Sequence, residues 1–229
     1  NGRSTSRTSA MLTPGARTLL ELVSVAGVPL DPSVAGRAAG LSGVDRLSVG
    51  RLRASKLLRT RQVGDEELLV AYHERIRAAV VDAIEAPRLA AHHGVLATAL
   101  EAADAPARTL VTHFAEAGEH VRAAHHARRA GDEAAAVLAF QEAAELYGRA
   151  LAWDPQASRA VTRATAAKRA GALVNLGRCK EGAGIYAELA DGATGSTDDA
   201  DDPDLRSAGS PMYASPEQVR DGAATAASD

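Results

Sequence analysis

Cysteine, aromatic rings and long apolar runs are scarce in this chain, and each scarcity excludes something. A single Cys179 among 229 residues excludes an internal disulfide and fits a reducing compartment. Aromatics make up 3% of the residues against 46% hydrophobic overall. A core poor in rings but rich in alanine suits helix-on-helix packing rather than a sandwich or a barrel. No apolar run reaches the roughly 20 residues that span a bilayer, and no basic, apolar, small-residue succession reads as a signal peptide. A cytoplasmic protein with no membrane partner is the expectation. There is no GxxxxGK[ST] loop and no Walker-B carboxylate run, so the chain by itself should hold no nucleotide, and no cofactor is expected in it. Asn1 in place of an initiator methionine reads as a processed or excised fragment.

What the chain does have is helix punctuation and an uneven charge. Residues 1–190 hold 24 bases and 20 acids, whereas residues 191–229 hold two bases and nine acids. A mildly basic body followed by an acidic tail can form an intramolecular electrostatic latch, although solvated disorder is the plainer reading of such a tail. The polar residues 1–12 bury too little to fold, and order should begin at Thr13-Pro14, an N-cap with proline at the first helical position. Leu19, Leu20, Leu22, Val23 and Val25 then supply a buried face. Asp31-Pro32 opens a short second helix through Ala38, and a third runs over 44–56 with Leu47, Val49, Leu52 and Leu57 expected on its inner face. Two β-compatible runs around Gly64-Asp65 predict a hairpin over 57–72.

Downstream, the periodicity predicts helices over 73–84, 87–102, 106–117, 119–137, 140–153, 157–176 and 180–190. Taking Pro155 as position 32 of a 34-residue tetratricopeptide repeat places Gly131 at position 8, Ala143 at 20, Tyr147 at 24 and Ala150 at 27. Short side chains let two antiparallel helices approach, and the aromatic fills the gap left against its neighbour. A second pair follows 39 residues later, with Ala170, Leu173, a turn at Gly177 and Tyr186 in the corresponding places. The expected organisation is all-α. It has a disordered stretch at 1–12, a winged-helix-like domain at 13–84, a tetratricopeptide-like helical repeat domain at 85–191 and a flexible acidic linker and tail at 192–229.

Three helices followed by a hairpin is the order of a winged helix. With Leu57-Leu58-Arg59-Thr60 before the hairpin and Tyr72-His73-Glu74-Arg75 after it, residues 13–190 resemble the region after the nucleotide-binding core of bacterial STAND (AAA-type) ATPases. They are most similar to large regulators built as Ser/Thr kinase, ATPase and tetratricopeptide repeats. The resemblance implies that His73 senses the β-phosphate of ADP in a parent protein, where ATP or ADP and Mg would be the cofactors. The tail carries Gly209-Ser210-Pro211-Met212-Tyr213-Ala214-Ser215-Pro216-Glu217, similar to the end of a Ser/Thr kinase activation segment. That likeness makes Ser207 and Ser210 candidates for phosphorylation and implies that Glu217 pairs with a buried arginine. The other kinase motifs are absent. The order is also reversed relative to the family, and a fusion or rearrangement is the expected cause.

Two further clusters suggest chemistry. Arg46, Arg51, Arg53, Lys56, Arg59 and Arg61 meet only Asp45 across residues 45–61, so Arg51, Arg53 and Lys56 become candidate nucleic-acid contacts. Seven histidines, chiefly His113, His120, His125 and His126, raise the question of a metal, but no i, i+4 pair with cysteine or carboxylate partners closes a site and none is expected. The expected function is therefore a non-catalytic regulatory module of a bacterial signalling ATPase or kinase. It would bind a protein or peptide partner, its own tail or a kinase domain through the repeat helices. A DNA-binding winged helix is the runner-up, and a docking or kinase-substrate tail fused to the helices is the other alternative.

Overall fold

The computed structural model describes residues 12–40 and 46–193. The described chain is mostly helical, with one small two-stranded sheet among ten helices. Its described residues divide into two compact units, unit 1 ending at Ala130 and unit 2 beginning at Gly131.

Unit 1 is built from sequence signals that are local and strong. Helix α1 (Pro14–Ala26) starts where the Thr13 hydroxyl accepts the Ala16 amide, and it stops at Gly27, whose φ of +67° ends the helix in the left-handed region. Its Leu19, Leu20 and Leu22 are at most 1% exposed; burying each leucine contributes about 1.5–3 kcal/mol. Asp31 caps α2 (Pro32–Ala38) by accepting the Ser33 and Val34 amides at 2.7 and 3.2 Å. The Ser33 hydroxyl, followed by those amides, holds the Asp31 carboxyl below its ordinary range even though burial opposes this. Strands β1 (Leu58–Val63) and β2 (Glu66–Ala71) pair antiparallel from Leu58↔Ala71 to Val63↔Glu66. Gly64 alone takes a positive φ in the two-residue turn, as a type II′ hairpin requires. Leu30 and Leu69 exchange backbone hydrogen bonds at 2.8 and 2.9 Å, tying the α1–α2 connection to β2.

Helix α3 (Arg46–Ala54) corrects one expectation. Leu47 does not face the core but is 73% exposed, whereas Ser48 and Leu52, four residues apart, are buried and Val49 is half-buried. Only the first position departs from the apolar pattern, Ser48 taking the inward place expected of Leu47, while Leu52 and Leu57 are buried as the pattern requires, and α3 ends in a tight turn. There the Lys56 amide reaches Arg53 O and the Leu57 amide reaches Leu52 O. Lys56 sits in this turn at a φ of 53°, a place usually taken by glycine.

Helix α4 (Glu74–Asp82), α5 (Ala86–Glu101) and α6 (Ala107–Glu116) complete unit 1, together with the first part of α7 (His120–Ala136). The core here rests on Leu96, Leu110 and Phe114, each at most 1% exposed, and Ala97, Ala107 and Ala123 are fully buried as well.

Unit 2 takes the end of α7, then α8 (Phe140–Trp153), α9 (Arg159–Asn175) and α10 (Cys179–Ala193). The α7–α8 and α9–α10 turns share one construction. The Ala139 amide reaches Ala134 O around Leu138, and the Arg178 amide reaches Leu173 O around Gly177. Leu138 and Gly177 both have positive φ, at 62° and 79°. Ser158 caps α9 by accepting the Val161 amide at 3.3 Å.

Candidate functional site

In unit 2 the spacing between helices is set by missing side chains. A Cβ built on Gly131 would lie 2.6 Å from Tyr147 Cε1 and 2.8 Å from its Cδ1, so the ring rests on bare backbone. Tyr147 is 2% exposed, and Ala143 and Ala150 on the same helix are fully buried. The Tyr147 hydroxyl donates to Asp132 Oδ1 at 2.7 Å, and Lys168 Nζ from α9 donates to both oxygens of that carboxylate at 2.9 and 3.0 Å. Burial, reinforced by the Asp132 carboxylate, pushes the phenol above its ordinary value, so it remains a neutral donor. In the second hairpin the bare position is Gly182, where a Cβ would meet Val174 Cγ2 at 2.7 Å and Ala170 O at 2.9 Å. Tyr186 is 45% exposed and donates to Ala167 O at 3.3 Å. Pro155 is exposed in the connection between α8 and α9.

This packing leaves a groove of about 600 Å³ along α8 and α9, bordered by Arg149 and Gly148 on α8, Arg169 and Leu173 on α9, and Arg178 in the following turn. A Cβ on Gly148 would lie 3.3 Å from Arg169 Nε, so that guanidinium crosses α8 where the backbone is bare. Arg169 Nε is buried and makes no hydrogen bond. Arg178 is held in a two-bond fork by Glu181, both contacts at 2.7 Å, which raises the Arg178 pKa and lowers that of Glu181. The Arg149 guanidinium lies 5.4 Å from the Trp153 ring centre. Among the described residues Glu145 is the acid that lines this groove, and it takes the Gln141 amide at 2.5 Å. With Arg178 already paired to Glu181, Arg149 and Arg169 are the two guanidiniums this groove offers to a carboxylate or other anion, whose geometry the guanidinium fork matches.

None of these arginines stood out in the sequence. They lie on three separate elements, and only a fold brings them together. The one readable signal was Gly148 inside an otherwise good helix.

The residues singled out elsewhere occupy different surroundings. His73 is the exposed N-cap of α4, its Nδ1 accepting the Arg75 amide at 3.2 Å. The ring is a local capping group here, and no phosphate-cradling loop accompanies it in the sequence. Arg51, Arg53, Lys56, Arg59 and Arg61 are all exposed on α3 and the start of the hairpin, with Arg53 3.7 Å from Glu67.

His92, His93, His113 and His126 engage one another or carboxylates. His92 Nε2 lies 2.8 Å from Glu21 Oε2, which Arg88 also contacts at 2.7 Å. His126 Nε2 lies 2.8 Å from Glu101 Oε1, and Arg122 binds the same carboxylate. Burial lifts the Glu101 carboxyl, but His126 and Arg122 outweigh it and hold the group below its usual range. His93 Nδ1 and His113 Nδ1 are 2.9 Å apart, and burial, with His93 adding to it, pushes His113 down to about 4. Among the described residues no three histidines, cysteines or acids gather as a metal-holding group, and no helix is long and apolar enough to cross a membrane. Gly209, Ser210, Pro211, Tyr213, Pro216, Glu217 and Ser207 lie outside the described residues.

No family model, no curated protein and no solved structure matches this chain.

Proposed function

We propose that this chain is a non-catalytic interaction module that binds an acidic peptide or protein segment through the helices of unit 2. The reading is supported chiefly by the groove along α8 and α9, where Arg149, Arg169 and Arg178 are collected and the Nε of Arg169 is buried without a partner. A buried donor without an acceptor costs about 1–3 kcal/mol, and a carboxylate that draws the Arg169 guanidinium off Gly148 into the groove removes that cost. The spacing of Gly131, Ala143, Tyr147, Ala150 and Pro155 fits tetratricopeptide-like packing. The three helices and hairpin of unit 1 fit a winged helix. On these grounds the module belongs to a larger signalling ATPase or Ser/Thr kinase, in which His73 would face the nucleotide.

The test is a titration of the full chain with labelled peptides that are acidic, neutral or basic. Acidic peptides should be retained, with binding weakened at least tenfold by Arg169→Gln and by high salt. Equal retention of all three classes, or ATP turnover by the pure protein, contradicts the reading.

A second reading has one observation in its favour, the wholly exposed basic ridge of Arg51, Arg53, Lys56, Arg59 and Arg61. If it contacts DNA, duplex affinity falls steeply with salt and is lost in the Arg51→Ala, Arg53→Ala double variant. Affinity unchanged by that variant removes this reading.

A further inference from the structure

The groove that carries the proposed function also has a candidate occupant within the same chain. Beyond the last described helix, residues 198–204 read Asp-Asp-Ala-Asp-Asp-Pro-Asp, five carboxylates in seven positions. We propose that this acidic segment docks in the arginine groove along α8 and α9, so that the chain carries its own competitor for an outside acidic partner. The inference rests on the peptide-binding reading above and names the ligand of that same site.

Three observations converge on this occupant. The first is charge. Arg149, Arg169 and Arg178 line the groove, Glu145 lines it too and Glu181 pairs with Arg178, so the groove keeps a net positive charge, and the densest run of acids in the chain follows α10. The second is the unfilled donor. Arg169 is half-buried, laid across Gly148 with its Nε covered and unbonded, so an acceptor in the groove that draws the guanidinium off Gly148 gives that donor the partner it lacks. The third is reach. Helix α10 has 15 residues and begins at Cys179, beside Arg178; at 1.5 Å per residue it carries the chain about 21 Å away from the groove end. Returning that distance takes about seven extended residues, and the acids begin five residues beyond Ala193 and end eleven beyond it. A tether this short gives an effective concentration on the order of millimolar, enough for a weak contact to compete with a stronger partner in solution.

The test uses the full chain. A nitroxide on Cys179, the only cysteine and an exposed one, is paired with a second on Ala200→Cys, and the distance between them is measured by pulsed electron resonance. An undocked segment places the labels about 26 Å apart with a broad spread, from a helix of about 21 Å and a free seven-residue continuation of about 15 Å. The expected result is one narrow distance well below that. It should lengthen in Arg149→Gln plus Arg169→Gln, and at 1 M salt, where the screening length falls to about 3 Å. A broad distribution indifferent to both changes overturns the proposal, as does a short distance that survives loss of both arginines.

A second arm leaves the described residues untouched. Asp→Asn at 198, 199, 201, 202 and 204 should let a free acidic peptide bind at least tenfold more tightly than it binds the native chain. Equal, arginine-dependent binding by both chains overturns the tail as occupant while leaving the groove's function standing. No binding by either chain contradicts both.

Discussion

The two helical hairpins that meet in unit 2 repeat one register and solve its packing in opposite ways. Gly131, Leu138, Ala143 and Tyr147 in the first correspond, 39 residues on, to Ala170, Gly177, Gly182 and Tyr186 in the second. In the first the glycine is on the leading helix and Tyr147 lies against it, 2% exposed. In the second that place is Ala170, the bare position has moved to Gly182 on the following helix, and Tyr186 is left 45% exposed. The difference follows where the bare backbone lies: Gly131 sits under the ring of Tyr147, which is core, whereas Gly171 lies near only the hydroxyl of Tyr186, which is surface. Where the ring is core, its hydroxyl also recruits Asp132 and through it Lys168, linking α7 and α9 across α8.

The largest expected contrast is therefore between the two tyrosines. Tyr147→Ala should cost about 3–5 kcal/mol, as buried aromatic truncations do, whereas Tyr186→Ala should cost under about 1 kcal/mol. Denaturant unfolding of both variants measures the difference, and equal losses would break the comparison.

Next comes acid, which separates the units rather than the hairpins, because all seven histidines lie at or before residue 126. His113 is depressed to about 4 in the folded chain, against about 6.5 when unfolded. Between those values the unfolded state binds the extra proton. The contribution of this group is thus fully present above pH 6.5 or so and is lost as pH falls toward 4, by up to about 3 kcal/mol. Hydrogen exchange followed from pH 7 to 4 should show α5 and α6 losing protection before α8 and α9 do.

Smaller still is the hydroxyl of Tyr147. Tyr147→Phe leaves the ring in place and removes one bond to Asp132, which should lower stability by about 0.5–1.5 kcal/mol without changing the unfolding slope. The smallest effect concerns the two turns. Leu138 holds a φ of 62° where its counterpart is Gly177, so Leu138→Gly should raise the melting temperature slightly, by relief of up to about 1 kcal/mol, while Gly177→Leu lowers it.

Much of the secondary structure was legible in the sequence, because caps and periodicity are local. Thr13-Pro14 and Asp31-Pro32 mark helix starts, Gly64-Asp65 marks the hairpin, and Gly177 marks a turn. What failed at Leu47 is the step from pattern to direction. The hydrophobic residues of a short helix define a stripe, but what the helix packs against decides which side points inward, and here Ser48 rather than Leu47 is buried beside Leu52. The candidate site was half legible. Gly131 and Tyr147 stand at a spacing that signals close helices, whereas Arg149, Arg169 and Arg178 acquire meaning only when α8 and α9 are laid side by side. The histidine contacts were hidden for the same reason, since His92 meets Glu21 and His126 meets Glu101 across long stretches of chain.

The most direct test of the central claim, that bare backbone at Gly131 is what seats Tyr147, is a double-mutant cycle. Gly131→Ala alone should destabilise by about 1–3 kcal/mol through its clash with the ring. In a Tyr147→Ala background the same change should be neutral or stabilising, because alanine is the better helix former by about 1 kcal/mol. An equal penalty for Gly131→Ala with and without the ring would contradict the account.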